Sequence, residues 1–258
     1  MRWPPFLLLY RILIAYAGST SNGQVGAHAR RAGVEIAPSI LAGDFGNLAS
    51  ESKRCFQAGC RWLHVDICDG CYVRGSLTFG PQAVAAIAAA SPELKLDCHV
   101  AVVDPSRYVQ ALADAGASRF TFQWESLSAI PRERTELALE LAQRVIQAGM
   151  TCGVCIARAT PASAVTEVLE SGFIDLVDVL AVEPGFGGQS FDDSVLGKIE
   201  TLAARHPNLP WVAIDGGVTE ETAPRCLEVG ANMLIAGTAI FGAPSLQSAV
   251  DSLLQLSR

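Results

Sequence analysis

A chain of 258 residues, half of them hydrophobic and 17% charged, is long enough to bury one large core or two small ones. Its net charge of -7 and its isoelectric point near 5.1 exclude a predominantly basic surface, which argues against nucleic acid or an anionic membrane as the main partner. A local pocket for a small anion remains compatible with this charge.

Residues 1–34 differ in composition from the rest of the chain. They carry four arginines and no acidic residue, and the first carboxylate is that of Glu35. The apolar run Phe6–Ala17 contains Arg11 and is too short to span a bilayer. Ala15-Tyr16-Ala17 has the small-residue spacing of a signal cleavage site. We predict a leader that targets the protein to an organelle, with a plastid as one candidate; the alternative is an extension without function on a cytoplasmic protein.

Short apolar segments alternate with amphipathic segments over residues 35–258. The segments with strand character are Glu35–Leu41, Trp62–Cys68, Leu94–Val100, Arg119–Trp124, Thr151–Ile156, Leu176–Val182, Trp211–Asp215 and Met233–Ala236. The segments with helical character are Leu48–Ala58, Gln82–Ala90, Ser106–Ala115, Arg132–Ala148, Ala162–Ser171, Asp193–Arg205, Glu220–Glu228 and Leu246–Leu256.

Eight strand–helix units predict an α/β protein, a single (β/α)8 TIM barrel that follows the leader. Glycines at positions 59, 116, 149, 172 and 230 come just after five of the helices, where a left-handed cap is favoured. A doubly wound open sheet is the alternative, but no Gly-x-Gly-x-x-Gly turn follows the first strand. The eight cysteines fall mostly within apolar strands and helices, so we predict reduced thiols rather than disulfides.

The segment Trp62–Cys68 carries the most information about function. Because side chains alternate along a strand, His64, Asp66 and Cys68 share one face and the opposite face is apolar. This pattern suits a barrel strand whose apolar face is covered by helices and whose polar face lines the mouth. A buried ion pair with no further role is the alternative interpretation.

Further polar residues lie at the ends of other strands, where barrel enzymes place their chemistry. Ser39 lies near the end of the first strand, His99 lies on the third, and Asp215 ends the seventh. Together with His64 and Asp66, they bring two imidazoles and two carboxylates to one mouth. This ligand set suits zinc, manganese, iron or cobalt better than calcium, and the sequence does not choose among the four metals.

Glycine-rich loops follow the last three strands. They are Glu183–Gln189 after the sixth strand, Gly216 and Gly217 after the seventh, and Gly237–Ala239 after the eighth. Glycine lets the backbone approach a ligand closely, so that amide groups can contact phosphate oxygens. The loops together predict a phosphate site, although each alone is more often only a tight turn.

These segments resemble the ribulose-phosphate 3-epimerase family over residues 35–258. The run Val182–Gln189 is the most specific match. The other matching motifs are Ala37–Phe45, His64–Asp66, Leu77–Pro81, Asp97–His99, Asp215–Gly217 and Ala236–Gly242.

The resemblance implies interconversion of D-ribulose 5-phosphate and D-xylulose 5-phosphate, a step of the pentose phosphate pathway and the Calvin cycle. It implies one divalent metal ion held by His64, Asp66, His99 and Asp215, with Asp66 and Asp215 as the acid/base pair. Inversion beside a ketone needs a proton removed from one face and another returned to the opposite face, through an enediolate that a metal ion can stabilise. The substrate-binding residues it implies are Ser39, His99, Gly185, Phe186, Gly187, Gly188, Asp215, Gly216, Gly217, Gly237 and Thr238.

The chain also departs from the family pattern. Methionines that usually cap the substrate are replaced at Cys68, Ala101 and Leu180, and a histidine of the fourth strand is replaced by Gln123. The loop Cys71–Ser76 is one residue longer than usual. These changes leave two alternatives open: an epimerase of another ketose phosphate such as allulose 6-phosphate, or a non-catalytic paralogue that acts as a binding or assembly subunit. We also expect a homo-oligomer, because family members often form one.

Overall fold

The structure, a computed structural model, describes residues 33–185 and 188–256. The predicted leader up to residue 32 and the predicted substrate-binding residues Phe186 and Gly187 lie outside the described residues.

Eight parallel strands form one sheet in the order β1-β8-β7-β6-β5-β4-β3-β2. The sheet closes between its two ends through a single parallel bridge that joins Ser39, just after β1, to His64 in β2. The strands are β1 Glu35–Pro38, β2 Trp62–Cys68, β3 Lys95–Ala101, β4 Arg119–Gln123, β5 Thr151–Ile156, β6 Leu176–Leu180, β7 Trp211–Asp215 and β8 Met233–Ala236.

Helices follow the strands and cover the outside of the sheet. They are α1 Leu48–Gln57, α2 Pro81–Ala90, α3 Val109–Asp114, α4 Arg134–Gln147, α5 Thr166–Glu170, α6 Leu196–Arg205, α7 Ala223–Glu228, α8 Thr238–Phe241 and α9 Leu246–Gln255. The predicted (β/α)8 barrel is therefore confirmed. None of the helices in the described part of the chain has the length and hydrophobicity that crossing a bilayer requires.

Several predicted helices are divided into a 3-10 turn and a shorter α-helix. Such turns, at Pro105–Tyr108, Pro131–Glu133, Ala162–Val165 and Asp193–Val195, precede α3, α4, α5 and α6. A 3-10 turn is a frequent way to enter a helix, and hydrophobic periodicity does not distinguish it from the α-helix that follows. The short helix α8 was not predicted, because its four residues are too few to show a period.

The helix-facing and inward-facing sides of the strands differ as the pattern of β2 predicts. Leu63, Val65 and Ile67 pack into the large core between sheet and helices. A separate apolar cluster fills the lower end of the barrel, where the rings of Trp62 and Trp211 lie edge to face at 6.3 Å. All eight cysteines are free, and all but Cys71 are buried, as predicted for reduced core thiols.

Candidate active site

Strand register brings the polar residues of four strands to the upper end of the barrel. Asp66 of β2 pairs with His99 of β3, and Leu180 of β6 pairs with Asp215 of β7. The bridge from Ser39 to His64 closes the ring at the same level. Residues that are far apart in sequence therefore meet because parallel strands all end at one edge.

A cavity of about 70 Å³ opens between these residues. Every predicted substrate-binding residue that the structure describes lies on its wall, and so do the three positions at which family methionines are replaced. The lining includes Ser39, Asp66, Cys68, His99, Ala101, Leu180, Gly185, Gly188, Asp215, Gly216, Gly217, Gly237 and Thr238.

The four predicted metal ligands form one compact group. His64, Asp66, His99 and Asp215 each offer a ligand atom, and these atoms all lie within 4.8 Å of one another. His64 Nε2 is buried without a hydrogen-bond partner among the described residues and lies 3.4 Å from Asp66 Oδ1. An unpaired ring nitrogen beside a carboxylate is what a divalent metal site requires, so this donor set fits one.

Asp66 is held by hydrogen bonds on both oxygens. Ser39 Oγ donates to Oδ2 at 2.8 Å, and His99 Nδ1 lies 3.0 Å from Oδ1. Burial acts to raise the pKa of Asp66, but the neighbouring His64 and His99 rings outweigh burial and hold that pKa well below its usual range. Asp66 is therefore the ionised carboxylate of the site.

Asp215 is in the opposite state. Burial, followed by the negative charge of Asp66, raises the pKa of Asp215 to about 8. At neutral pH, the site therefore holds one ionised and one protonated carboxyl group, which is how enzymes separate a base from an acid of the same residue type.

His64 is oriented by a residue to which the sequence analysis assigned no role. The Nδ1 atom of His64 lies 3.1 Å from Asp97 Oδ2, and Thr121 Oγ1 donates to Asp97 Oδ1 at 2.6 Å. Arg119 Nη1 lies 3.9 Å from the same carboxylate. Because a carboxylate only accepts, the Asp97 contact keeps a proton on Nδ1 of His64 and leaves Nε2 for a metal. The signal in the sequence was alternation: Asp97 shares the inward face with His99.

Asp178 is a second residue that the sequence analysis did not identify. It lies on β6 opposite Cys155 and Ala213 and is fully buried. Within the described part of the chain, neither carboxylate oxygen accepts a hydrogen bond of ordinary length, and the nearby Cys155 thiol is only a weak donor. Burial raises the pKa of Asp178.

The glycines after β7 are required by close packing. Gly216 and Gly217 both have positive φ, at 95° and 67°. A Cβ on Gly216 would lie 2.2 Å from Val182 Cγ2, and one on Gly217 would lie 2.7 Å from Phe191 N. Only glycine fits both the conformation and the space, so the backbone is exposed to the cavity at these positions.

Side chains hold the loop after β6 in place. Arg158 bonds to Glu183 on one side of this loop and to Asp192, at 3.0 Å, on the other. Ser76 Oγ donates to Gly185 O at 3.0 Å, which joins the loop after β2 to the same segment. Arg158 therefore clamps this loop at both ends.

The carboxylate of Asp69 has a structural role. It accepts hydrogen bonds at 2.9 Å from the backbone N–H groups of Cys71, Tyr72 and Val103. These contacts stabilise the turn that begins the longer loop. Tyr72 and Val73 of that loop pack on Cys68 and Ala101, so apolar side chains cover this side of the cavity.

Comparison with known proteins identifies the family of the chain. A family model described as the Ribulose-phosphate 3 epimerase family matches residues 35–241. The ribulose-phosphate 3-epimerase of Schizosaccharomyces pombe is 40% identical over 221 residues, which are 85% of this chain and 92% of that protein. The cytoplasmic isoform from Oryza sativa is 38% identical, covering 87% of this chain and 95% of its own. The chloroplastic protein of Arabidopsis thaliana is 35% identical, and the match covers 97% of this chain and 89% of that protein.

Solved structures with the same fold include more distant proteins. The 3-hexulose-6-phosphate synthase from Salmonella typhimurium matches with a TM-score of 0.62 and 16% identity, covering 86% of this chain and 98% of its own. KGPDC from Streptococcus mutans in complex with D-R5P matches with a TM-score of 0.68 and 12% identity, covering 87% and 97%. At such identities the likeness shows the barrel fold alone.

Proposed function

Since the chain belongs to the ribulose-phosphate 3-epimerase family, we propose that it inverts C3 of D-ribulose 5-phosphate to give D-xylulose 5-phosphate, with Asp66 and Asp215 transferring the protons. Relatives with this activity in their names cover most of the chain, so the protein is an epimerase that acts on a pentose phosphate. The alternative of a non-catalytic subunit is thereby wrong.

The observation that carries the proposal is the opposite protonation of two carboxyl groups that line one cavity. In the ion-free site, Asp66 has a lowered pKa and can take a proton, whereas Asp215 has a pKa raised to about 8 and can give one. Inversion needs such a pair because one proton leaves and another arrives on the opposite face. In the reverse direction, the two side chains exchange roles.

We propose that His64, Asp66, His99 and Asp215 hold one divalent ion, and zinc, manganese, iron and cobalt all suit this donor set. When bound, the ion would act as a Lewis acid on the negative charge that develops on two adjacent substrate oxygens. The bond from Ser39 Oγ to Asp66 keeps that carboxylate aligned toward the cavity, and Cys68, Ala101 and Leu180 help to exclude water from it.

We propose that the substrate phosphate binds to the backbone at Gly216, Gly217, Gly237 and Thr238. Support comes from their position on the cavity wall and from the absence of side chains at the three glycines. Backbone N–H groups bind anions without a lysine or arginine, which is compatible with the acidic composition of the chain.

The experiment is epimerase turnover of the full chain on D-ribulose 5-phosphate, before and after chelation and with each of the four metals restored. Exchange of the C3 proton in D2O then separates the two aspartates. If each serves one face, Asp66→Asn and Asp215→Asn should both abolish epimerisation, while each retains slow deuterium incorporation into a different epimer. Asp114→Asn, an exposed carboxylate change, is the control. Faster turnover of a six-carbon ketose phosphate would replace the proposed substrate.

We also propose that residues 1–34 direct the protein to an organelle. The support is their basic, acid-free composition and the broader coverage of this chain by the chloroplastic relative (97%) than by the cytoplasmic one (87%). A fluorescent protein fused behind these residues should accumulate in the organelle, and a diffuse cytoplasmic signal would contradict the proposal.

A further inference from the structure

Residues behind His99 form a chain of hydrogen bonds that the reaction itself does not use. His99 Nε2 lies 2.8 Å from Gln123 Oε1, and Gln123 Nε2 donates to Glu125 Oε2. Glu125 is in turn held by the backbone N–H of Ala157, at 3.0 Å, and by the Thr160 hydroxyl. Gln123 is fully buried, so this contact is shielded from solvent.

The direction of every bond in this chain follows from Glu125. A carboxylate only accepts hydrogen bonds, so the group that Gln123 turns toward Glu125 must be its NH2. The carbonyl oxygen of Gln123 then faces His99, and because that oxygen also only accepts, His99 Nε2 must carry the proton. The amide orientation is thus set by a charged group one step farther from the cavity.

The opposite edge of the same ring faces a competing acceptor. His99 Nδ1 lies 3.0 Å from Asp66 Oδ1 and points toward the group of ligands. An imidazole that binds a metal ion is neutral and has one proton for these two acceptors. If the proton were on Nδ1, it would occupy the lone pair that a metal needs.

We propose that Gln123 and Glu125 are positioning residues that keep the proton of His99 on Nε2 and so leave Nδ1 available to a divalent cation. This inference rests on the metal site of the proposed function and deepens it. The same logic holds for His64 with the ring reversed, because there Asp97 retains the proton on Nδ1 and Nε2 faces the ligands. The two imidazoles would thus present different nitrogens to one ion.

The test combines metal affinity with a direct reading of the ring proton. Dissociation constants for Zn²⁺ are measured by chelator competition for wild type, Gln123→Leu and Glu125→Gln. We expect about 10- to 100-fold weaker binding for Gln123→Leu and a smaller loss for Glu125→Gln, because an amide at position 125 no longer forces one orientation of Gln123. Gln110→Leu, which removes an exposed amide bonded to Asp114, should leave the affinity unchanged.

Two-bond proton–nitrogen NMR correlations of the histidine rings supply the second readout. In the zinc-loaded wild type, the ring proton of His99 should reside on Nε2. Zinc on Nε2, or an unchanged Zn²⁺ affinity in a folded Gln123→Leu variant, would overturn the inference. Glu125→Gln serves the same purpose if Gln123→Leu does not fold.

Failure of the proposed function gives a different result. If the wild type binds no divalent ion, the metal-dependent mechanism is wrong. NMR spectra of the metal-free protein, recorded at a pH where the His99 ring is neutral, still decide whether Gln123 determines the position of the His99 proton, since the contact with Gln123 is present without an ion. A wild type that binds zinc while Gln123→Leu binds it equally well leaves the mechanism intact and rejects only the role of Gln123.

Discussion

On the β2–β4 side of the barrel mouth, Asp66 and Asp97 each contact a histidine and a hydroxyl group, whereas on the β6–β7 side Asp178 accepts no hydrogen bond of ordinary length within the described residues. The pKa values follow this difference: lowered for Asp66 and Asp97, raised for Asp178 and Asp215. Asp97 and Asp178, both fully buried in one barrel, thus differ in pKa because of their immediate partners rather than their depth.

The largest effect should come from removing a carboxylate on the bonded side. Asp97→Ala removes the acceptor of the fully buried His64 Nδ1 and one of the two carboxylates near the fully buried Arg119. Because Arg119 keeps its bonds to Asp175 at 3.1 Å, we expect a loss of about 2–4 kcal/mol in the free energy of unfolding. Urea denaturation measures it. Asp114→Ala on the exposed face of α3 should change the same quantity by less than about 0.5 kcal/mol. If Asp97→Ala lowered the free energy of unfolding by less than about 1 kcal/mol, the hydrogen-bonded carboxylates of the β2–β4 side would not be more important for stability than those of the β6–β7 side.

The protonated state of Asp215 should appear in metal binding. Because its pKa is raised to about 8, the ion must displace at least one proton at neutral pH. Because His64 and His99 also have raised pKa values and must be neutral to bind an ion, the affinity for Mn²⁺ should rise at least about tenfold per pH unit from pH 6 to 8, or at least about 2.7 kcal/mol in total. Calorimetry in buffers of different ionisation enthalpy should detect the released proton. A flat profile would indicate that Asp215 is already ionised.

Asp178 should be dispensable for stability. Asp178→Leu replaces a buried carboxyl group that has no hydrogen bond of ordinary length among the described residues. The new side chain is like those of Leu176 and Leu180, the adjacent inward positions of β6, and we expect a gain of about 1–3 kcal/mol in the free energy of unfolding.

The pH dependence of this gain has a defined sign. The folded-state pKa of Asp178 is raised above its ordinary value of 3.8, so the folded protein retains a proton that the unfolded chain releases. The destabilisation caused by Asp178 is absent at pH values below about 3.8. It grows as the pH rises above this value, until the carboxyl group ionises in the folded state as well. The gain from Asp178→Leu should therefore be larger at pH 7 than at pH 4, and an equal gain at both would contradict the raised pKa.

The smallest effect should come from the partly exposed clamp on the β6 side. The side chain of Arg158 is 35% exposed, so Arg158→Gln should cost at most about 1 kcal/mol of stability. It also releases the loop that carries Gly185 and Gly188 on the cavity wall, and we expect KM for the sugar phosphate to rise severalfold with kcat nearly unchanged. Arg54→Gln on α1 removes a comparable surface pair as control. An equal effect of both variants on KM would contradict the clamp.

The sequence predicted the barrel and the four-residue ligand group because their signals are local. His64 and Asp66 stand on the polar face of an alternating strand, and His99 and Asp215 lie at the same height on other strands. Asp97 and Asp178 occupy similar alternating positions, yet whether such a carboxylate is ionised depends on partners from neighbouring strands. Strand register decides those partners, and one sequence does not give it.

Gln123 illustrates the same limit in another way. The sequence showed only that an amide occupies a position where the family usually has a histidine. The orientation of the Gln123 amide depends on Glu125, which is in turn held by Ala157 and Thr160 from the loop after β5. Such a series of hydrogen bonds can be identified only from the positions of side-chain atoms.

Because the barrel closes between β1 and β2, through the bridge from Ser39 to His64, its upper end combines parts of the chain that are synthesised early and late. Ser39 emerges from the ribosome early, but Asp215 emerges only when most of the polypeptide has been made. No partial product that lacks β7 can assemble all four proposed ligands around an ion. Because binding energy gained at such a site adds to the stability of the folded state, the ion would favour only polypeptides that are nearly complete, and fragments from interrupted synthesis would remain open to proteolysis.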